Sequence, residues 1–164
     1  MSQGPIAEVF LPERSLPVPL LVADPDLPAV LHALGDSGHR GIPAADPAAL
    51  IRLALESSAP VVICDVNLPG QVFVHLLDAL QATAGAPKVI GLSADTREWP
   101  SLLLAGAYDV LGKPVDKETL TRSVHIGWQR WEVERRHRLA TFPAAGEHGQ
   151  DAEDESANTW RYAS

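Results

Sequence analysis

Asp24, Asp26, Asp65, Ser93 and Lys113 each stand within three residues of the end of a short apolar run. Carboxylates, a hydroxyl and a lysine are the groups that phosphoryl transfer uses. A carboxylate serves as nucleophile and yields an acyl phosphate. Mg²⁺ bridges carboxylates and phosphate oxygens and offsets the charge that develops. A lysine adds a compact positive charge, and a serine hydroxyl donates to a phosphate oxygen. Each residue also has a plainer reading. Acids after strands are common helix caps, so Asp24 or Asp26 could simply cap the helix that follows, and Lys-Pro is a common loop pair. Their arrival at successive strand ends is what argues for a shared site.

The elements that must position these residues follow from the hydrophobic pattern. Apolar runs predict strands over 18–23, 39–42, 61–64, 88–92 and 108–111. Between them, apolar residues every three or four positions predict helices over 27–34, 47–56, 72–82, 100–105 and 116–139. Asp46 and Pro47 mark the start of the second helix. Asp95 and Glu98 resemble a capping box, but Pro100 moves the start of the fourth regular helix to itself. The run over 61–64 is apolar without interruption, as in a parallel strand covered on both faces. Strand and helix alternate throughout, so the expected fold is α/β, a doubly wound five-stranded parallel sheet. Ligands bind such a sheet at the carboxyl ends of its strands.

Bulk properties narrow the class. The 164 residues, 46% hydrophobic and 21% charged, suit one globular core with tails. A net charge of −8 argues against a nucleic-acid surface, which needs a concentrated basic face. The single cysteine, Cys64, cannot form an internal disulfide, and no Cys/His cluster has metal-ligand spacing. No apolar run reaches the ~20 residues of a membrane span, and the first residues lack the order of a secretory signal. The expectation is a cytoplasmic protein with no membrane contact and no DNA-binding domain. Residues 1–16 read as a flexible arm, 17–127 as the folded domain, 128–142 as an extension of the last helix and 143–164 as an acidic disordered tail. Leu120, Val124, Trp128 and Trp131 form one stripe on that helix. The two tryptophans are expected to project beyond the sheet and dock a partner or a second copy, which makes a homodimer through the last helices an expectation.

Certain stretches carry a family resemblance. Leu20-Leu21-Val22-Ala23-Asp24, the block from Val62-Ile63-Cys64-Asp65 through Val66-Asn67-Leu68-Pro69-Gly70, Ser93-Ala94, Ala105-Gly106-Ala107 and Lys113-Pro114 resemble, in this order, the receiver signature of bacterial two-component response regulators. The resemblance covers residues 18–127. It implies the flavodoxin-like strand order 2-1-3-4-5 and a non-enzymatic signalling domain, expected to stand alone because no output domain follows that stretch. Such a domain is phosphorylated by a histidine kinase or phosphotransfer protein and acts through a downstream protein partner. Carried over by match, Asp65 is the phosphoacceptor, with Ser93 and Lys113 as the hydroxyl and ammonium that meet the phosphate. Asp24, Asp65 and the backbone carbonyl of Asn67 are the Mg²⁺ ligands.

The chain departs from that pattern in three places. Two acids usually follow the first strand, whereas this chain has Ala23 and then Asp24, so weaker Mg²⁺ binding is expected. Asp26 is the nearest substitute, but Pro25 restricts the backbone that would have to bring it in. Val110 stands where an aromatic switch residue is common, and the period of a strand places Tyr108 on the same face as Val110. Val72-Phe73 replaces an Asp-Gly turn. These departures motivate a degenerate, phosphorylation-independent docking module as an alternative. A remoter one is a haloacid-dehalogenase-like phosphatase, whose D-x-D motif Asp24-Pro25-Asp26 resembles.

Overall fold

The computed structural model describes residues 15–141. Its strands are β1 (Pro17–Leu21), β2 (Arg40–Pro43), β3 (Val61–Asp65), β4 (Lys88–Ser93) and β5 (Asp109–Gly112). The helices are α1 (Leu27–Asp36), α2 (Pro47–Glu56), α3 (Val72–Gln81), α4 (Trp99–Ala105) and α5 (Lys117–Thr141). All pairings are parallel, and the strands lie in the order β2-β1-β3-β4-β5. This is the expected flavodoxin-like sheet with a long last helix. Two compact units are distinguished, Met1–Trp131 and Glu132–Ser164. The first holds all five strands. The described part of the second is the end of α5, where Arg135 pairs with Glu132 at 2.7 Å.

Side-chain alternation along the strands builds a core on each face of the sheet. Val61, Ile63, Ile90, Leu92 and Leu111 face α1 and α5, where they meet Val30, Leu34, Leu120 and Val124. Val62, Cys64, Val89 and Val110 face the other way, against Leu50, Phe73, Leu76, Leu77 and Leu102. Every residue of β3 is buried, as its unbroken apolar run requires. Gly91 on β4 has a local reason: a Cβ there would meet Val66 Cγ2 at 2.8 Å and Phe73 Cζ at 2.9 Å.

Helix ends follow local chemistry. The Asp46 carboxylate accepts the Ala49 N–H at 2.7 Å and caps α2, and Asp116 accepts the Thr119 N–H at 2.9 Å at the start of α5. α1 runs two residues past its expected end. Gly35 is absorbed into the helix, and closure comes at Gly38 (φ 80°), where the His39 N–H reaches the Leu34 carbonyl at 2.9 Å. Asp95 caps only a short 3₁₀ turn, Thr96–Glu98, through the Arg97 N–H, and α4 begins at Trp99 with Pro100 in its first turn.

Three expectations change. Leu16, assigned to the flexible arm, is buried in the core, while residues 1–14 of that arm and the tail from 142 onward lie outside the described residues. Trp128 packs against the core, and Trp131 donates its indole N–H to the Gly85 carbonyl at 3.0 Å, so neither projects clear of the sheet. Tyr108 and Val110 lie on opposite faces: Tyr108 packs with the α1/α5 core and Val110 with the other. The reason is that β5 starts at Asp109, so Tyr108 sits in the bend before it, where strand alternation does not apply. No described helix is long and apolar enough to cross a membrane.

Two predictions follow from this packing. Gly91→Ala forces Phe73 and Val66 apart and is expected to cost about 1–3 kcal/mol in chemical denaturation. His39 is buried and accepts the Leu16 N–H at Nδ1 (3.4 Å). Burial first, and then the neighbouring charge of His125, hold His39 below the ordinary imidazole range, and burial does the same to His125. Both lowered values favour the neutral rings of the folded state. Their contribution is full above the ordinary value near 6.5 and is lost as pH falls from there through the lowered values. The thermal midpoint should therefore drop between pH 7 and 5, and His39→Gln with His125→Gln should flatten that slope.

Candidate functional site

Asp65 ends the most buried strand, and its side chain is only 3% exposed. A carboxylate so placed needs compensation, and each oxygen has it. Oδ1 accepts the Asn67 N–H at 3.0 Å, and Oδ2 accepts the Lys113 ammonium at 2.6 Å. The neighbouring Cys64 thiol is pushed up to about 12, by burial first and then by the Asp65 charge. It remains a thiol, which removes it as a nucleophile.

Lys113 follows β5 directly, and its backbone N–H bonds the Ser93 carbonyl at 3.1 Å. Parallel pairing brings the ends of β3, β4 and β5 to one edge, with Asp65 opposite Leu92 and Ser93 opposite Gly112. The Nζ of Lys113 has a second anion: Asp26 Oδ2 lies 3.1 Å away. Burial is the largest single influence on Lys113 and works against its charge. The hydrogen bonds and charges of Asp65 and Asp26 together outweigh it, so the ammonium titrates above the ordinary lysine range.

The restriction expected at Pro25 does not keep Asp26 away. The Asp26 and Leu27 N–H groups both bond the Ala23 carbonyl, at 3.0 and 3.1 Å. With that turn closed, the Asp26 carboxylate lies within reach of Lys113. Asp24 is exposed and has no ion pair among the described residues. Of the residues singled out in the sequence, Asp65 and Lys113 therefore touch, Ser93 adjoins them through the backbone, and Asp26 joins where Asp24 does not. The signal for Asp26 was its place two residues after Asp24, and only the turn resolves it.

Ser93 is buried, and its hydroxyl is occupied within its own loop. It donates to the Asp95 carbonyl (3.0 Å) and accepts the Asp95 N–H (3.1 Å). Trp99 opens α4 beside the end of β5, where a Cβ on Gly112 would lie 3.5 Å from its ring. Its buried indole N–H has no partner among the described residues.

No group of three or more His, Cys, Asp or Glu side chains that could hold a metal ion comes together among the described residues. Mg²⁺ asks for less, since one or two carboxylates with waters are usual for it. Asp65, a carboxylate of the 24–26 turn and the Asn67 carbonyl are hard oxygen donors, and they fit that ion in kind.

Residues 24–125 match the model of the response regulator receiver domain. No curated protein matches the chain. Among solved structures, it is similar to the chemotaxis response regulator CheY4 of Vibrio cholerae, with 23% identity and a TM-score of 0.61 over 70% of this chain and 99% of that one. It is also similar to a receiver domain of a sensor histidine kinase from Pseudomonas aeruginosa, solved with magnesium in its active-site cleft. There the identity is 23% and the TM-score 0.60, over 72% of this chain and 98% of that one. NtrX from Brucella abortus gives 20% identity and a TM-score of 0.66 over 76% of this chain, which spans only 29% of the NtrX chain. At these identities the structural likeness speaks for the fold.

The ion pair has a measurable consequence. Removing the cation from a buried carboxylate leaves an uncompensated charge, which typically costs 3–5 kcal/mol. Because Lys113 is partly exposed, Lys113→Met is expected to lose about 3 kcal/mol in urea denaturation without divalent ions. Adding Asp65→Asn should recover much of that loss.

Proposed function

Because the chain belongs to the response-regulator receiver family, we propose that it accepts a phosphoryl group on Asp65 from a histidine kinase or phosphotransfer protein and signals by contact with a downstream protein. The observation that carries this reading is the Asp65–Lys113 contact at the buried end of β3. A carboxylate oxygen of Asp65 forms the new P–O bond as the P–N bond to the donor imidazole breaks, and the departing imidazole takes a proton. Lys113 pairs with the added phosphoryl charge as it now pairs with the carboxylate. Ser93 exchanges its bonds to Asp95 for one to a phosphoryl oxygen. Mg²⁺, held by Asp24, Asp65 and the Asn67 carbonyl, would supply charge neutralisation at the phosphate oxygens.

The same reading makes the chain a phosphoacceptor rather than a turnover enzyme, sets it in the cytoplasm, and leaves the extension over 128–142 as the place for a homodimer contact. Family membership replaces the phosphatase alternative. The docking-module alternative keeps one observation in its favour: Val110, where the family often has an aromatic switch, is locked in the core. Full-length chain incubated with Mg²⁺ and phosphoramidate should gain the mass of one phosphoryl group, and Asp65→Asn should gain none. No adduct at high Mg²⁺ would defeat the phosphorylation reading. Partner binding indifferent to Asp65→Asn would favour docking alone.

A further inference from the structure

We propose that Asp26 stands in for the acid missing at Ala23, as the carboxylate that positions Lys113 against Asp65. This rests on the phosphoacceptor reading of Asp65 and names a residue that the sequence pattern of the family does not supply.

Three observations carry it. Asp26 occupies the N-cap position of α1, yet its side chain makes no capping bond. Capping bonds run to the second or third N–H of a helix, and the second residue of α1 is Pro28, which has none. The usual duty of an acid in this place is thus half removed. Next, the carboxylate turns toward the strand ends, where its Oδ2 reaches Lys113 Nζ at 3.1 Å while the same nitrogen holds Asp65 at 2.6 Å. Finally, the turn that delivers it is closed on the Ala23 carbonyl, by the N–H groups of Asp26 and Leu27. The position lacking the acid is therefore the anchor of the turn that brings another acid in.

Lysine is a flexible four-carbon stem ending in a point charge. Held by one carboxylate it keeps several rotamers; held by two on different elements it has a fixed place. Asp26 is in this sense a positioning residue that acts through Lys113 and need not touch the phosphoryl group.

The test has two arms, both on the full chain. In the first, the rate of phosphoramidate adduct formation at saturating Mg²⁺ is followed by mass. Asp26→Asn should slow it about tenfold, a modest penalty for a misplaced group. In a Lys113→Met background the same change should add nothing, and Ala23→Asp together with Asp26→Asn should restore the rate. An Asp26→Asn rate equal to wild type, or an equal penalty with and without Lys113, overturns the proposal. In the second arm, the ¹⁵Nζ resonance of Lys113 is recorded without phosphodonor. It should move in Asp26→Asn and return when Ala23→Asp is added; an unmoved resonance overturns the proposal. If the wild-type chain takes no phosphate at all, the phosphoacceptor reading fails, and this second arm alone decides the role of Asp26.

Discussion

A single ammonium group between two carboxylates organises the carboxyl edge of this sheet. Asp65 is almost wholly withdrawn from water at the end of a strand covered on both faces, and an isolated charge there would be costly. Two acids near one another add repulsion of about 4 kcal/mol at 4 Å and an effective dielectric of 20. Lys113 answers both demands, since its Nζ reaches Asp65 and Asp26 together. The topology makes that contact available: in a parallel sheet all carboxyl ends lie at one edge, so residues 48 positions apart meet there.

Around this centre the structure ties each mobile-looking group to something specific. The Ser93 hydroxyl closes a local turn on Asp95, which in turn caps the 3₁₀ segment leading to Trp99. The loop after β4, the first turn of α4 and the end of β5 are thereby linked from Ser93 through Trp99 to Gly112. On the opposite face of β5, Tyr108 lies against α5, where a Cβ on Gly127 would come within 3.3 Å of its ring. Val110 fills the core between β5 and the α2–α4 layer and has no large side chain to reorient.

Much of this was legible beforehand, and the reasons differ by element. β3 declared itself through an unbroken apolar run, and α2 through Asp46 and Pro47, because burial on both faces and capping are demands made by neighbours in sequence. Strand order followed from the receiver resemblance. Less legible were features decided by a residue or two at element ends. Strand alternation puts Tyr108 on the wrong face because the bend before β5 interrupts it. The stripe on α5 makes its tryptophans look free to project because a helical pattern does not reveal how far the neighbouring loop at Gly85 extends to meet it.

The sequence alone determined the alternation of strands and helices, the burial of β3, and the gathering of Asp65, Ser93 and Lys113 at one sheet edge, since each depends on local pattern and on a topology with few alternatives. Which acid of the Asp24-Pro25-Asp26 segment faces the lysine was decided only in three dimensions. That choice depends on a turn closed by the Ala23 carbonyl and on a cation delivered from a strand far along the chain. Neither the sequence pattern nor the spacing of two acids separated by one proline encodes the direction in which their side chains leave the turn.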